Sequence, residues 1–158
     1  MAGIDGYSLV KTVHIVSAAV LFGTGLGTAF FFWSSRNVDD AARLFAARTT
    51  VRADFLFTLP AVIIQPLTGA WMAVRAGFEL GDLWLTASVV LYIFAGLCWL
   101  PVVGLQMRMK RMLQVRASGG EFDEVEFGRM RRTWFVLGWP AFLGLLVVFW
   151  LMVAKPGW

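Results

Sequence analysis

Lys11 and His14 are the residues of this chain whose types and spacing best suit chemistry. They lie three positions apart, so on a helix their side chains share one face, and His14 is the only histidine. A neutral imidazole binds haem iron or copper, and a methionine thioether can complete the coordination of either metal. We therefore predict a haem or metal site at His14 beside Lys11, with Met72 and Met152 as candidate second ligands. A plain hydrogen bond from His14 to a backbone carbonyl is the alternative.

Three further polar residues, Asp54, Gln65 and Thr68, belong to strongly apolar parts of the chain. Polar and ionisable groups inside a membrane are costly, which makes each of them a candidate functional residue. For Asp54 we predict an ion pair with a residue of another span or loop. Gln65 precedes Pro66, so its amide either satisfies a carbonyl that the proline leaves free or bridges to another helix. Contact with a polar substrate is a third interpretation of Gln65.

Other kinds of chemistry have few candidate residues. The single Cys98 excludes an internal disulfide and a cysteine-cluster metal site. The sequence contains no paired buried carboxylates, no Ser/His/Asp set, no HExxH and no nucleotide-binding loop. Catalytic residues therefore stay unassigned, and we favour a protein that is not an enzyme while leaving the question open.

The residues above must be positioned by long apolar elements. Four stretches of 20 residues or more lack Asp, Glu, Lys and Arg, and they are residues 12–35, 55–74, 83–107 and 133–154. A helix of about 20 apolar residues crosses the hydrocarbon core of a membrane, where only helices and closed barrels satisfy their backbone groups. Continuous apolar runs lack the alternation of barrel strands. We predict one all-α domain over residues 1–158, an up-down bundle whose transmembrane spans are residues 9–33, 54–75, 83–107 and 133–154.

The distribution of positive charge predicts the orientation of this bundle. Eleven of the 14 basic residues lie in the connections between spans one and two and between spans three and four. Short basic loops stay in the cytoplasm, so both termini should face outward from a bacterial inner membrane. The basic charge is then a topology signal and a contact for anionic lipid, and we expect the lipid bilayer rather than nucleic acid as the partner.

The connections and helix ends give three smaller predictions. Residues 37–51 form an amphipathic helix that either lies along the inner surface or extends span two. The connection around Ser118 is expected to be a solvated, mobile loop, since it combines Ser-Gly-Gly with runs of charge. Aromatic residues at the ends of the spans, from Tyr7 to Trp158, are expected to anchor in the headgroup region.

Small residues repeat every four positions in the first span at Ala19, Gly23 and Gly27. Such a pattern lets two helix backbones approach closely. We favour packing of this face against another span of the same chain. The alternatives are a contact with a second copy or a membrane protein partner, and a flat cofactor against the glycines.

Several motifs carry a resemblance to a known family. They are Lys11-x-x-His14, Gly23-Thr24-Gly25-Leu26-Gly27, Arg52-Ala53-Asp54, Leu59-Pro60-Ala61-Val62, Gln65-Pro66-Leu67-Thr68-Gly69, Trp99-Leu100-Pro101-Val102-Val103, Trp139-Pro140-Ala141-Phe142 and Trp150-Leu151-Met152-Val153. With them the chain resembles, over nearly its whole length, domain-of-unknown-function family 2269 of small predicted integral membrane proteins of bacteria. The resemblance implies a four-helix fold and brings no activity with it.

The first span is more distantly similar to those of bacterial membrane protoporphyrinogen oxidase and of copper-resistance D-type membrane proteins. In the oxidase a Lys-x-x-His pattern is associated with haem binding, which the resemblance extends to Lys11 and His14. Here, however, spans two to four contain no histidine and no lysine. Bis-histidine ligation within one chain is therefore impossible. A haem would need a methionine or lysine partner, a vacant position or a second subunit.

Three functions are consistent with these observations. The first is a haem-binding redox or tetrapyrrole-related protein with His14 as axial ligand. The second is a non-enzymatic membrane component that binds another protein through the Gly23 and Gly27 face. The third, ranked last, is a transporter of a small molecule or metal that uses Gln65 and the spans that prolines 60, 66, 101 and 140 interrupt.

Overall fold

Helices and their connections make up all of the computed structural model, which describes residues 5–156; the expected anchor Trp158 lies outside the described residues. The helices are α1 (Gly6–Ser34), α2 (Asp40–Ala53), α3 (Leu59–Arg75), α4 (Leu83–Ala117) and α5 (Glu124–Ala154). A π-helical turn, Asp54–Thr58, joins α2 to α3 without a break, and a 3₁₀ turn, Ser35–Asn37, follows α1. The described residues thus form four continuous helical segments, each long and apolar enough to cross a membrane. The predicted all-α polytopic bundle is confirmed.

Aspartate side chains cap the N-termini of three helices. The Asp5 carboxylate accepts a hydrogen bond from the Ser8 backbone N–H, and Asp39 accepts one from Ala42. Asp123 accepts from two backbone N–H groups at the start of α5. Each such cap satisfies a donor that the first turn leaves unpaired, which typically stabilises a helix by about 1 kcal/mol.

The two arginine-rich connections are mostly helical, so the exposed loop expected around Ser118 is present but short. α2 extends the second span, as one of the two predictions for residues 37–51 had it. α4 continues to Ala117 and α5 begins at Glu124, so only residues 118–123 lie outside helices in the last connection. Several of the neighbouring charges lie on helix ends, where Arg116 pairs with Glu124 and Arg108 pairs with Glu126.

A buried apolar core holds these helical extensions together. It includes Leu44, Ala46, Ala47, Met109, Leu113, Phe127 and Met130. All of these lie outside the charge-free stretches, so the chain has a packed helical region at one end of the predicted spans. We call this part of the molecule the arginine-rich end, and the opposite part, which carries residues 5–11, 76–82 and 155–156, the terminal end.

The outer surface of the charge-free stretches is apolar. Leu56, Val74 and Val153 expose 67%, 77% and 86% of their surface. Water would make such exposure costly, whereas hydrocarbon chains solvate these side chains well. Inside the bundle α1 packs along α3 and α4 packs along α5. Tyr92 of α4 connects the two pairs by donating a hydrogen bond to the Val62 carbonyl oxygen, 2.7 Å away.

Candidate functional site

His14 meets α3 in the half of the bundle nearer the terminal end. Its Nδ1 atom lies 2.8 Å from Oγ1 of Thr68, and the imidazole is half-buried. Further along the same seam, Gln65 faces Ser17, and the ring of Tyr7 lies 6.1 Å from that of Trp71. Residue numbers rise along α3 as they fall along α1, so the two helices are antiparallel neighbours.

The hydrogen bonds of Thr68 determine the tautomer of His14. The Thr68 hydroxyl lies 2.7 Å from the Ile64 carbonyl oxygen of its own helix and gives its single proton to that oxygen. The hydroxyl oxygen must then accept from His14, so we assign the imidazole proton to Nδ1. Nε2 is left with a free lone pair, the form in which histidine binds metals. A hydrogen bond from the other ring nitrogen is also the usual way to orient such a ligand.

Gln65 bridges α3 and α1, one of the roles expected from the sequence. Its Nε2 atom donates to the His14 carbonyl oxygen and to the Ser17 hydroxyl, both at 2.8 Å. Gln65 and Ser17 are 6% and 7% exposed. Because hydrocarbon offers no other partner for these groups, the bridge fixes the backbone turn from which His14 projects.

Gly69 allows the imidazole to approach α3 closely. A Cβ atom at this position would lie 3.3 Å from Cε1 of His14, tighter than ordinary van der Waals contact. A larger residue would therefore press on the ring and disturb its hydrogen bond to Thr68. Nothing in the sequence marks Gly69 for this role, which depends on the α1–α3 register.

The two candidate methionine ligands differ in position. Met72 follows Thr68 by four residues, so it shares that face of α3 one turn closer to the terminal end. Met152 lies three residues beyond Phe149, whose ring is 5.5 Å from that of Phe22. A helix rises about 1.5 Å per residue, so Met152 lies about 4.5 Å from this aromatic contact toward the terminal end. His14, eight residues from Phe22, lies about 12 Å from the contact in the same direction. Met72 is thus the better placed of the two, and a ligand role for either stays a prediction.

Asp54 does not form the ion pair that the sequence suggested. Its carboxylate is 3% exposed and accepts a 2.9 Å hydrogen bond from the Thr58 hydroxyl, one π-helical turn away. The paired charges of the described residues lie instead at the arginine-rich end, between α2, α4 and α5. Arg48 and Arg52, next to Asp54 in sequence, are exposed, whereas Asp54 faces the interior.

The small-residue face of α1 does not pack within the chain. Ala19, Gly23 and Gly27 are all exposed, and a Cβ atom at either glycine would meet nothing within 4 Å. Packing against another span of the described chain, the favoured expectation, is therefore wrong. The reason is that α1 turns its Ser17 side toward α3 and this face outward. A contact with a second copy or a partner stays a prediction.

A cavity of about 360 Å³ lies among α1, α3, α4 and α5. Asp54 and Thr58 line it together with Gln106 and Trp134, which nothing in the sequence marked as site residues. Gln106 is 4% exposed. Its position at the end of a charge-free stretch gave no sign that this part of α4 is covered by α2 and α5.

The comparisons with known proteins identify one family. The family model described as "Predicted integral membrane protein (DUF2269)" matches residues 8–156. No curated protein and no solved structure matches the chain. The distant similarity to the oxidase and to copper-resistance proteins therefore stays an expectation.

Proposed function

The chain belongs to the DUF2269 family of predicted integral membrane proteins, and within that membrane setting we propose that it binds haem through Nε2 of His14. The observation that carries the proposal is the hydrogen bond between His14 Nδ1 and Thr68 Oγ1. It orients the ring from α3 and leaves the other nitrogen free to act as a ligand.

A single imidazole suits haem better than it suits a bare metal ion. Residues 5–156 contain no group of three or more His, Cys, Asp and Glu side chains that would hold a bare metal ion. Haem brings four nitrogen ligands of its own, so it needs only one or two axial ligands from the protein. His14 supplies the first, and the thioether of Met72 is the better candidate for the second. Lys11, exposed three residues before His14, adds a positive charge suited to a propionate.

Haem titration of the detergent-purified protein tests this proposal. We expect a saturable Soret band for the wild type and at least about tenfold weaker binding for His14→Ala, since removing second-shell partners alone costs 10–100-fold. Thr68→Val should weaken binding by about tenfold, because it removes the group that orients the ring. Added imidazole should restore the haem spectrum of His14→Gly.

The methionines provide a matched pair for the second ligand. Met72→Leu should convert a six-coordinate spectrum into a five-coordinate one, whereas Met152→Leu should leave it unchanged. A wild type that takes up no haem, or a His14→Ala variant that binds haem as tightly as the wild type, would refute the proposal.

A second candidate function is supported by the exposed face of Ala19, Gly23 and Gly27. In a membrane, close backbone packing is a main source of helix association, and this face has open space beside both glycines. We expect it to pair two copies of the chain. Cross-linking in membranes should show a dimer that Gly23→Ile and Gly27→Ile convert to monomer. Gly104→Ile, at an exposed glycine of α4 with equally open surroundings, should leave the dimer intact, and a monomeric wild type would contradict the idea.

A further inference from the structure

The cavity among α1, α3, α4 and α5 is separate from the His14 site. It begins on α1 at Leu21, seven residues or about 10 Å from His14 along the helix, and it extends toward the arginine-rich end. Its volume of about 360 Å³ is in the range of small-molecule pockets. Nine of the residues that line it are aromatic, among them Phe22, Trp33, Tyr92, Trp99, Trp139 and Phe142.

Two of the residues that line this cavity carry buried polar atoms that lack partners. Gln106 and Trp134 are each 4% exposed, and both line the cavity. Within residues 5–156, neither Oε1 of Gln106 nor Nε1 of Trp134 has a hydrogen-bond partner. Leaving such groups unpaired is costly, more so in a bundle that hydrocarbon surrounds. One is an acceptor and the other a donor, so together they specify the polar group that would satisfy them.

We propose that this cavity binds a lipid-soluble aromatic alcohol. A hydroxyl group both accepts and donates, so it can take the Trp134 N–H and give its own proton to the Gln106 carbonyl oxygen. Aromatic rings favour stacked and edge-to-face contacts with one another, which the wall of the cavity offers to a ring. The Asp54 carboxylate and Thr58 hydroxyl already bond to each other, and they make this part of the cavity polar.

The ligand reaches the cavity sideways from the bilayer. Leu26 and Phe30 of α1 and Trp139 of α5 line the cavity, yet 51%, 73% and 51% of their surfaces are exposed. The cleft between α1 and α5 is therefore open toward lipid at this level. A compound dissolved in the membrane enters without crossing the charged arginine-rich end.

Two glycines of α4 supply a matched pair for a test of the cavity. Gly96 lines it and Gly104 does not, and a Cβ atom at either position meets nothing within 4 Å. Gly96→Leu should fill part of the cavity without a clash, while Gly104→Leu adds the same side chain at an exposed position. On α5, Gly138→Leu and Gly128→Leu form an equivalent pair if Gly96→Leu does not fold.

Calorimetric titration of the detergent-purified protein with 2-naphthol, against a detergent blank, measures the binding. We expect saturable binding to the wild type and to Gly104→Leu, and none to Gly96→Leu. Gln106→Leu and Trp134→Phe should each bind at least about tenfold more weakly, as the loss of one buried hydrogen bond implies. The compound 2-methoxynaphthalene, which accepts but cannot donate, should also bind at least about tenfold more weakly.

Three results would overturn the inference. They are an absence of saturable binding to the wild type, equal binding of 2-naphthol to Gly96→Leu, and equal binding of 2-methoxynaphthalene and 2-naphthol to the wild type. Since His14 does not line the cavity, His14→Ala should bind 2-naphthol as the wild type does. The outcome is thus independent of whether haem binds at His14.

Discussion

At the scale of single residues, the α1–α3 seam near the terminal end is organised by side chains that would each be costly alone in hydrocarbon. His14, Ser17, Gln65 and Thr68 form one connected set of hydrogen bonds between the two helices. Every member of the set gives another member, or a carbonyl, the partner that lipid cannot supply. This mutual satisfaction lets an imidazole with a free nitrogen exist inside a membrane bundle.

Gln65→Leu tests how much this set contributes to stability. The substitution keeps the size of the side chain but removes both donors to α1, so we expect a loss of about 1 kcal/mol in the free energy of unfolding. Reversible unfolding in mixed detergent micelles measures the change. Gln114→Leu, at an exposed glutamine of α4, is the control and should be near neutral. Equal effects of the two variants would show that the bridge contributes nothing.

The residues of this seam were only partly predictable. His14, Gln65 and Thr68 stood out because polar groups are rare inside spans. The residue type alone gives that signal, without knowledge of how two helices align. Gly69 and Ser17 carried no such signal, since small residues occur throughout the chain. Their roles depend on which turn of α3 faces His14, and sequence spacing within one helix cannot specify a contact between two.

At the scale of elements, the helices continue past the charge-free stretches, and complementary charges pair at their ends. Arg43, 8% exposed, donates from both terminal nitrogens to the Glu124 carboxylate. Arg116 bonds to the same carboxylate and to Asp40. These ion pairs connect α2, the end of α4 and the start of α5 above a buried apolar core. The same charges, read along the sequence, resembled a solvated loop because their partners are distant in the chain.

The ion pairs of Glu124 predict a dependence of stability on pH. Glu124 lies before the charge-free stretch of α5. Hydrogen bonds from Arg43 and then Arg116 hold the pKa of its carboxyl below the ordinary 4.5. A carboxyl whose folded pKa is lowered contributes stability above its unfolded pKa and loses that stability as the pH falls through the folded value. The free energy of unfolding of the wild type should therefore exceed that of Glu124→Gln by about 1 kcal/mol or less at pH 7. This difference should vanish well below pH 4.5.

Thermal unfolding of both proteins between pH 7 and pH 3 measures this difference. Glu121→Gln, at an exposed glutamate three residues earlier, is the control and should follow the wild type throughout. A gap between the wild type and Glu124→Gln that persists at the lowest pH would mean that the ion pairs do not stabilise the helix ends.

At the scale of the whole molecule, the bundle has two polar regions at different depths. The seam around His14 lies toward the terminal end, and the cavity with Gln106 and Trp134 lies toward the arginine-rich end. The four spans were predictable because a charge-free stretch of this length is typical of a helix that crosses a membrane. The cavity was not, because it forms between side chains of α1, α3, α4 and α5, and this depends on how four helices pack together.

The distribution of arginines across the two ends predicts how the molecule sits in the membrane. Basic residues close to spans are retained in the cytoplasm, so the arginine-rich end should face inward and the connection 76–82 outward. Single cysteines in a Cys98→Ser background test this with a membrane-impermeant maleimide. Glu79→Cys, at an exposed position of the 76–82 connection, should react in intact cells. Ser118→Cys, exposed at the opposite end, should react only after the cells are opened, and labelling of Ser118→Cys in intact cells would reverse the orientation.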